Sequence, residues 1–192
     1  MRRLLLVALL PLVAGAALAA ERLADPTKAF VEGYDPSGND FLANVPERTV
    51  LLRIRTDLDG DRHEDLALSD SSTWGNAGGQ WLLFHGEAGG EYTYWGTLFF
   101  SPGDAALHTT AGAGELTVYV RTSASRGALE THRLTPAGIT RARSESLDLE
   151  QPRERERYER ALTAGARLPV EFCKLPDYRR DPRGCWRPGL GL

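Results

Sequence analysis

The 192-residue chain predicts an all-β fold: an antiparallel meander of about eight short strands, then one short C-terminal helix and a disulfide-closed tail. Three observations carry this expectation. Apolar residues recur with period two through the middle of the chain, turn residues interrupt them at close spacing, and both cysteines lie near the C-terminal end. With 42% hydrophobic and 26% charged residues the composition is globular, and the length suits one domain with a sizeable core. The formal net charge of −3 argues against a nucleic-acid binder, which needs a basic face.

Residues 1–19 read as a signal peptide. Arg2 and Arg3 form a basic start, 4–18 is an apolar run broken by Pro11 and Gly15, and Ala17-Leu18-Ala19 is a small-x-small cleavage site. The run is short for a membrane span, and no later segment is long and apolar enough, so no transmembrane segment is expected in the mature chain. The implied location is periplasmic or secreted. Arginine far outnumbers lysine, present only as Lys28 and Lys174, and with abundant Ala and Gly this points by association to a bacterial source.

Residues 20–46 are polar and turn-rich and read as an entry segment to a β domain spanning 47–148. In the strand predicted at 49–56, Val50, Leu52 and Ile54 share one face and Arg53 and Arg55 the other, the pattern of a half-buried strand. A short apolar strand follows at 66–69. Residues 80–85 (QWLLFH) are apolar on both faces and predict a central strand. Alternation continues at 92–100, and further strands are expected at 105–109, 116–122, 128–134 and 139–143. Gly89-Gly90, Ser101-Pro102-Gly103-Asp104, Gly112-Ala113-Gly114 and Pro136-Ala137-Gly138 supply the turns between them.

Residues 149–165 predict a solvated helix. Pro152 suits its first position, Glu156 and Arg160 are spaced i, i+4, Gly165 ends it, and Tyr158 and Leu162 are placed to rest on the sheet. Residues 166–192 form the tail. Its two thiols cannot make a four-ligand zinc site and have no nearby His for catalysis, so Cys173 and Cys185 are expected to bridge.

The most informative motif is Asp57-Leu58-Asp59-Gly60-Asp61-Arg62-His63-Glu64-Asp65. Carboxylates stand at loop positions 1, 3, 5 and 9 between two strands. Ca²⁺ takes six to eight oxygens, and alternate residues of a curled loop turn their side chains toward one point. Asp57, Asp59, Asp61 and Asp65, with the carbonyl of His63, are therefore the candidate ligands. An EF-hand would need Gly at position 6, Glu at position 12 and flanking helices; Arg62, Leu68 and strand-like flanks stand here instead. The motif resembles the strand-loop-strand calcium loop of FG-GAP and VCBS repeats, over about a dozen residues. Arg62 replaces that family's usual Gly, and a single copy cannot form a propeller by itself. The resemblance implies calcium at the four aspartates and leaves a propeller-blade-like or a sandwich-like architecture open. The alternative is an acidic hairpin that binds nothing, since Asp59-Gly60 is by itself a turn signal.

Weaker signals surround this loop. The Gly-rich stretch 71–81, flanked by Trp74 and Trp81, has a functional reading as a sugar-stacking platform and a simpler one in which Trp81 opens a buried strand. His63, His85, His108 and His132 lie apart in the sequence, and the last three read as ordinary sheet residues. No nucleophile motif occurs. The expectation is a non-enzymatic, exported, calcium-binding module that is structural or binds an envelope protein or glycan. The alternative is a periplasmic hydrolase or other glycan-acting protein that positions substrate with the ion.

Overall fold

The computed structural model describes residues 21–38 and 49–189; the expected signal peptide lies outside them. Two antiparallel sheets carry the fold. The first four core strands are β2 (Val50–Thr56), β3 (Asp65–Asp70), β4 (Gly79–Gly86) and β5 (Tyr92–Phe100), which form a meander in one sheet. The chain then leaves that sheet through the tight turn at Pro102–Asp104. It builds a second meander from β6 (Ala105–Thr110), β7 (Ala113–Arg121), β8 (Arg126–Thr135) and β9 (Gly138–Asp148). The meander expected from periodicity is thus present, but divided at the Ser101–Asp104 turn into two layers.

The ends of the described chain enlarge the first sheet. β1 (Arg22–Leu23) pairs with β5, β10 (Val170–Lys174) pairs with β2, and β11 (Arg187–Pro188) pairs with β10. This gives a seven-stranded order β1-β5-β4-β3-β2-β10-β11. Residues read as an entry segment therefore contain a strand and the helix α1 (Pro26–Val31), which Asp25 caps by accepting the Lys28 N–H. Neither element had enough residues to show a period.

Between the sheets lies one core. Leu52, Ile54, Ala67, Trp81, Leu83 and Phe100 face Ala105, Leu107, Leu116, Val118 and Leu134 across it. The opposite face of the larger sheet carries a second core of Leu51, Leu66, Leu68, Leu82 and Phe84. Phe30 of α1, together with Leu175 and Tyr178 of α3 (Leu175–Arg180) and Trp186, covers it. β3 and β4 are consequently buried on both faces, as the QWLLFH run requires.

The strand expected to be half exposed keeps Arg55 exposed but is covered at Arg53. Arg53 lies 3.8 Å from the ring centroid of Trp186 and its Nε donates to Glu171 at 2.6 Å, so its stem packs while its charge is met. The tail is therefore a structural layer of the sheet. Cys173 and Cys185 are bridged, with Cα atoms 5.5 Å apart, which closes the chain around α3.

The smaller sheet is backed by α2 (Pro152–Thr163), the expected helix. Tyr158 packs edge-on against Tyr119, and its hydroxyl donates to Asp104 at 2.6 Å; Arg121 pairs with the same carboxylate. No helix among the described residues is long and apolar enough to cross a membrane.

The buried Cys173 makes the bridge part of the second core. Native protein should show no reactive thiol, and Cys185→Ser should lower the denaturant-derived unfolding free energy by about 3 kcal/mol. Two thiols titrating in the native, unreduced protein would contradict the bridge.

Candidate metal centre

Thr56 pairs with Asp65 across β2 and β3, so 57–64 is the connecting loop of a hairpin, flanked by strands as the motif requires. The aspartates shape it through their own backbone. Asp57 accepts N–H bonds from Gly60 at 2.6 Å and Arg62 at 2.9 Å, Asp59 from Asp61 at 3.1 Å, and Asp61 from His63 at 2.7 Å. These are the short-range turns that Asp side chains favour. They curl the loop so that oxygens of Asp57, Asp59 and Asp61 lie within 4.8 Å of one another.

The loop is pressed onto the β6–β7 hairpin. Leu58 inserts into the inter-sheet core, and the Gly112 N–H donates to the Gly60 carbonyl at 3.0 Å. Gly60 has φ +75°, and a Cβ there would stand 1.8 Å from the Thr110 carbonyl oxygen; one at Gly114 would stand 1.7 Å from that of Leu58. Only glycine permits both approaches. Arg62, at the position where the resembled family has Gly, adopts φ +77°. The left-handed turn is kept by a residue that carries a Cβ penalty there.

Asp65 belongs to the site by a different route. It is fully buried, and its two oxygens accept the Leu58 N–H at 2.7 Å and the Gly86 N–H at 2.9 Å. The second donor comes from β4, and so does a residue that the linear motif does not contain. His85 places Nδ1 3.2 Å from Asp65 Oδ1 and 3.8 Å from Asp59 Oδ2, while its Nε2 lies 3.8 Å from Asp61 Oδ2. Asp59, Asp65 and His85 form a second group whose ligand atoms fall within 4.8 Å. His85 is thus no ordinary sheet residue. Its only sequence signal was its place one step beyond Phe84, which pairs with Leu66 beside Asp65.

Charge is poorly compensated here. Among the described residues, ion pairs of these aspartates run only to His63 and His85. Asp59 is fully buried, and its Oδ2 has no hydrogen-bond partner. Burial pushes the Asp59 carboxyl above its ordinary pKa, with Asp61 and Asp57 adding repulsion. Asp65 is pushed up to about 6, first by burial, while the Gly86 and Leu58 amides oppose the shift. Asp61 is raised by burial, but hydrogen bonds from His63 outweigh this and hold it below the usual range. Such a group could hold a metal ion.

The other candidates fall away from this centre. Trp81 is fully buried, stacks on Phe100 and donates its Nε1–H to the Phe100 carbonyl, as expected of a core strand. Trp74 meets Trp81 edge-on and donates to Ser69, so it packs inward. A groove of about 340 Å³ runs between α2 and the smaller sheet, lined by His108, Glu115, Arg143 and Glu145 among others, without any of the loop aspartates. No protein-family model, curated protein or solved structure matches the chain, so the likeness to FG-GAP and VCBS loops stands on these residues alone.

Two outcomes follow from the loop. Arg62→Gly should stabilise the protein by about 0.5–1 kcal/mol in denaturant unfolding, because glycine accepts φ +77° without steric cost. The second concerns pH. A carboxyl with a raised folded-state pKa stabilises the fold when protonated, a contribution complete below about pH 4 and lost as pH rises through about 6. In metal-free protein the melting-temperature advantage of wild type over Asp65→Asn should therefore shrink between pH 4 and 7. An advantage that grows over that interval would contradict the shift.

Proposed function

We propose that the protein is an exported calcium-binding β module of the bacterial envelope, with Ca²⁺ held by Asp57, Asp59, Asp61 and Asp65 and the carbonyl of His63. The observation that carries this reading is the buried Asp59 oxygen with no donor, on a residue grouped with Asp57 and Asp61 on the loop side and with Asp65 on the other. A buried carboxylate without a partner is costly, and a cation is the species that satisfies four of them together. Oxygen donors on a compliant loop favour calcium over magnesium, which demands stricter octahedral geometry and keeps its waters. The left-handed turn at Arg62 supports the FG-GAP/VCBS-like reading, since it retains the backbone that a glycine gives that loop.

The ion's role follows from where the loop sits. It would lock the β2–β3 connection against the β6–β7 hairpin and so tie the two sheets together at one end, leaving a rigid surface for an envelope protein or a glycan. Export is supported by the basic and apolar start of the chain and by the Cys173–Cys185 bridge, which suits an oxidising compartment such as the periplasm or the exterior. The sugar-stacking reading of the Gly-rich stretch 71–81 gains no support, because Trp74 is engaged with Trp81 and Ser69.

Extracellular calcium modules bind at dissociation constants of about 10⁻⁴–10⁻³ M. Two millimolar calcium should then stabilise the metal-free protein by roughly 0.6–1.8 kcal/mol, a rise of about 1–7 °C in melting temperature. Asp59→Ala should abolish most of that rise, and magnesium should give less. Superimposable melting curves with and without calcium, for protein shown by metal analysis to start empty, would reduce the loop to an acidic hairpin.

A further inference from the structure

We infer that Asp59, Asp65 and His85 form a second cation position of nitrogen–oxygen chemistry, adjoining the all-oxygen one and suited to zinc or a similar first-row dication. The inference rests on reading the loop as a cation site; it shares Asp59 and Asp65 with that site and adds the His85 ring nitrogen. His85 Nδ1 lies 3.8 Å from the unpartnered Asp59 Oδ2 and 3.2 Å from Asp65 Oδ1. Donors bound to one zinc at about 2.0–2.1 Å in a tetrahedron stand roughly 3.4 Å apart, so both distances from His85 Nδ1 are near that spacing, and the ligand atoms of all three residues lie within 4.8 Å of one another. Calcium seeks oxygen, whereas imidazole suits zinc-class metals.

The imidazole is also held in place. Its side chain is 12% exposed, and Trp95 stacks on it with ring centroids 4.9 Å apart and planes 18° from parallel. Asp65 is equally fixed, because the Leu58 and Gly86 amides take one lone pair of each oxygen. Without metal, the remaining lone pair of Oδ1 can receive the His85 Nδ1–H; with zinc, both atoms turn to the ion. Asp59 would bridge the two positions, Oδ2 toward His85 and Oδ1 on the loop side, where it accepts the Asp61 N–H. Carboxylate-bridged metal pairs stand about 3.5–4 Å apart, a span one carboxylate covers. With three protein ligands the zinc position keeps a fourth place for water, the arrangement of open zinc sites.

The test titrates zinc into the calcium-saturated mature protein by calorimetry. A His63→Gln background is used, because His63 Nδ1 lies 2.9 Å from Asp61 on a 42% exposed side chain and could capture zinc itself. One equivalent should bind, His85→Gln should weaken it at least tenfold while leaving calcium affinity within twofold, and Asp57→Asn should weaken calcium and spare zinc. Equal zinc affinity in His85→Gln, no zinc binding in the parent, or its abolition by saturating calcium would each overturn the inference. Zinc binding at His85 without any calcium binding would sink the calcium reading alone. Should His85→Gln fail to fold, nitrogen NMR of the parent decides. Zinc must shift the ring nitrogens of the histidine in contact with the Trp95 indole, and unmoved signals overturn the inference.

Discussion

Everything distinctive in this fold is arranged around carboxylates buried at one end of the seam between its two sheets. Asp59 and Asp65 are both fully inaccessible, in and at the end of the β2–β3 loop that packs on the β6–β7 hairpin. Burying two acids this close is unfavourable unless their oxygens meet donors or a cation. The chain supplies backbone amides from Leu58 and Gly86 to Asp65 and leaves Asp59 Oδ2 unmet. That imbalance separates this loop from an ordinary Asp-rich turn, whose side chains satisfy themselves locally and face water.

The rest of the molecule makes such burial possible. A loop of eight residues cannot exclude water from its own side chains. Here Leu58 anchors it in the inter-sheet core, glycines 60 and 114 allow the two backbones to touch, and β4 closes the inner side with His85 under Trp95. The larger sheet can serve as a rigid base because its far face is also covered. The helices α1 and α3, Trp186 and the Cys173–Cys185 bridge build a second core there. The tail that closes this layer pairs β10 with β2, the strand that leads directly into the loop.

Alternation made most of the eight central strands legible, and continuous apolar runs marked 66–69 and 80–85, which are buried on both faces. The elements these signals missed were β1, β10, β11, α1 and α3, all short. Arg53 shows the same limit from the other side: a charged residue predicted a wet position, and Trp186, distant in sequence, covers it, while Arg55 on the same face stays exposed. At the site, the four aspartates were legible as a spacing pattern. His85 was not, since its approach to Asp65 depends on the register between β3 and β4 and on nothing near it in the chain.

By itself, the sequence determined the local facts: strand-forming alternation, the curled loop with acids at positions 1, 3, 5 and 9, a helix after Pro152, and two cysteines available to pair. Each of these depends on neighbours within a dozen residues. Tertiary structure alone decided that the meander divides into two layers, that the tail joins the first of them, that Asp59 and Asp65 lose all contact with water, and that His85 joins them. Those outcomes depend on which surfaces meet across the core, and burial and desolvation are properties of that meeting rather than of any segment.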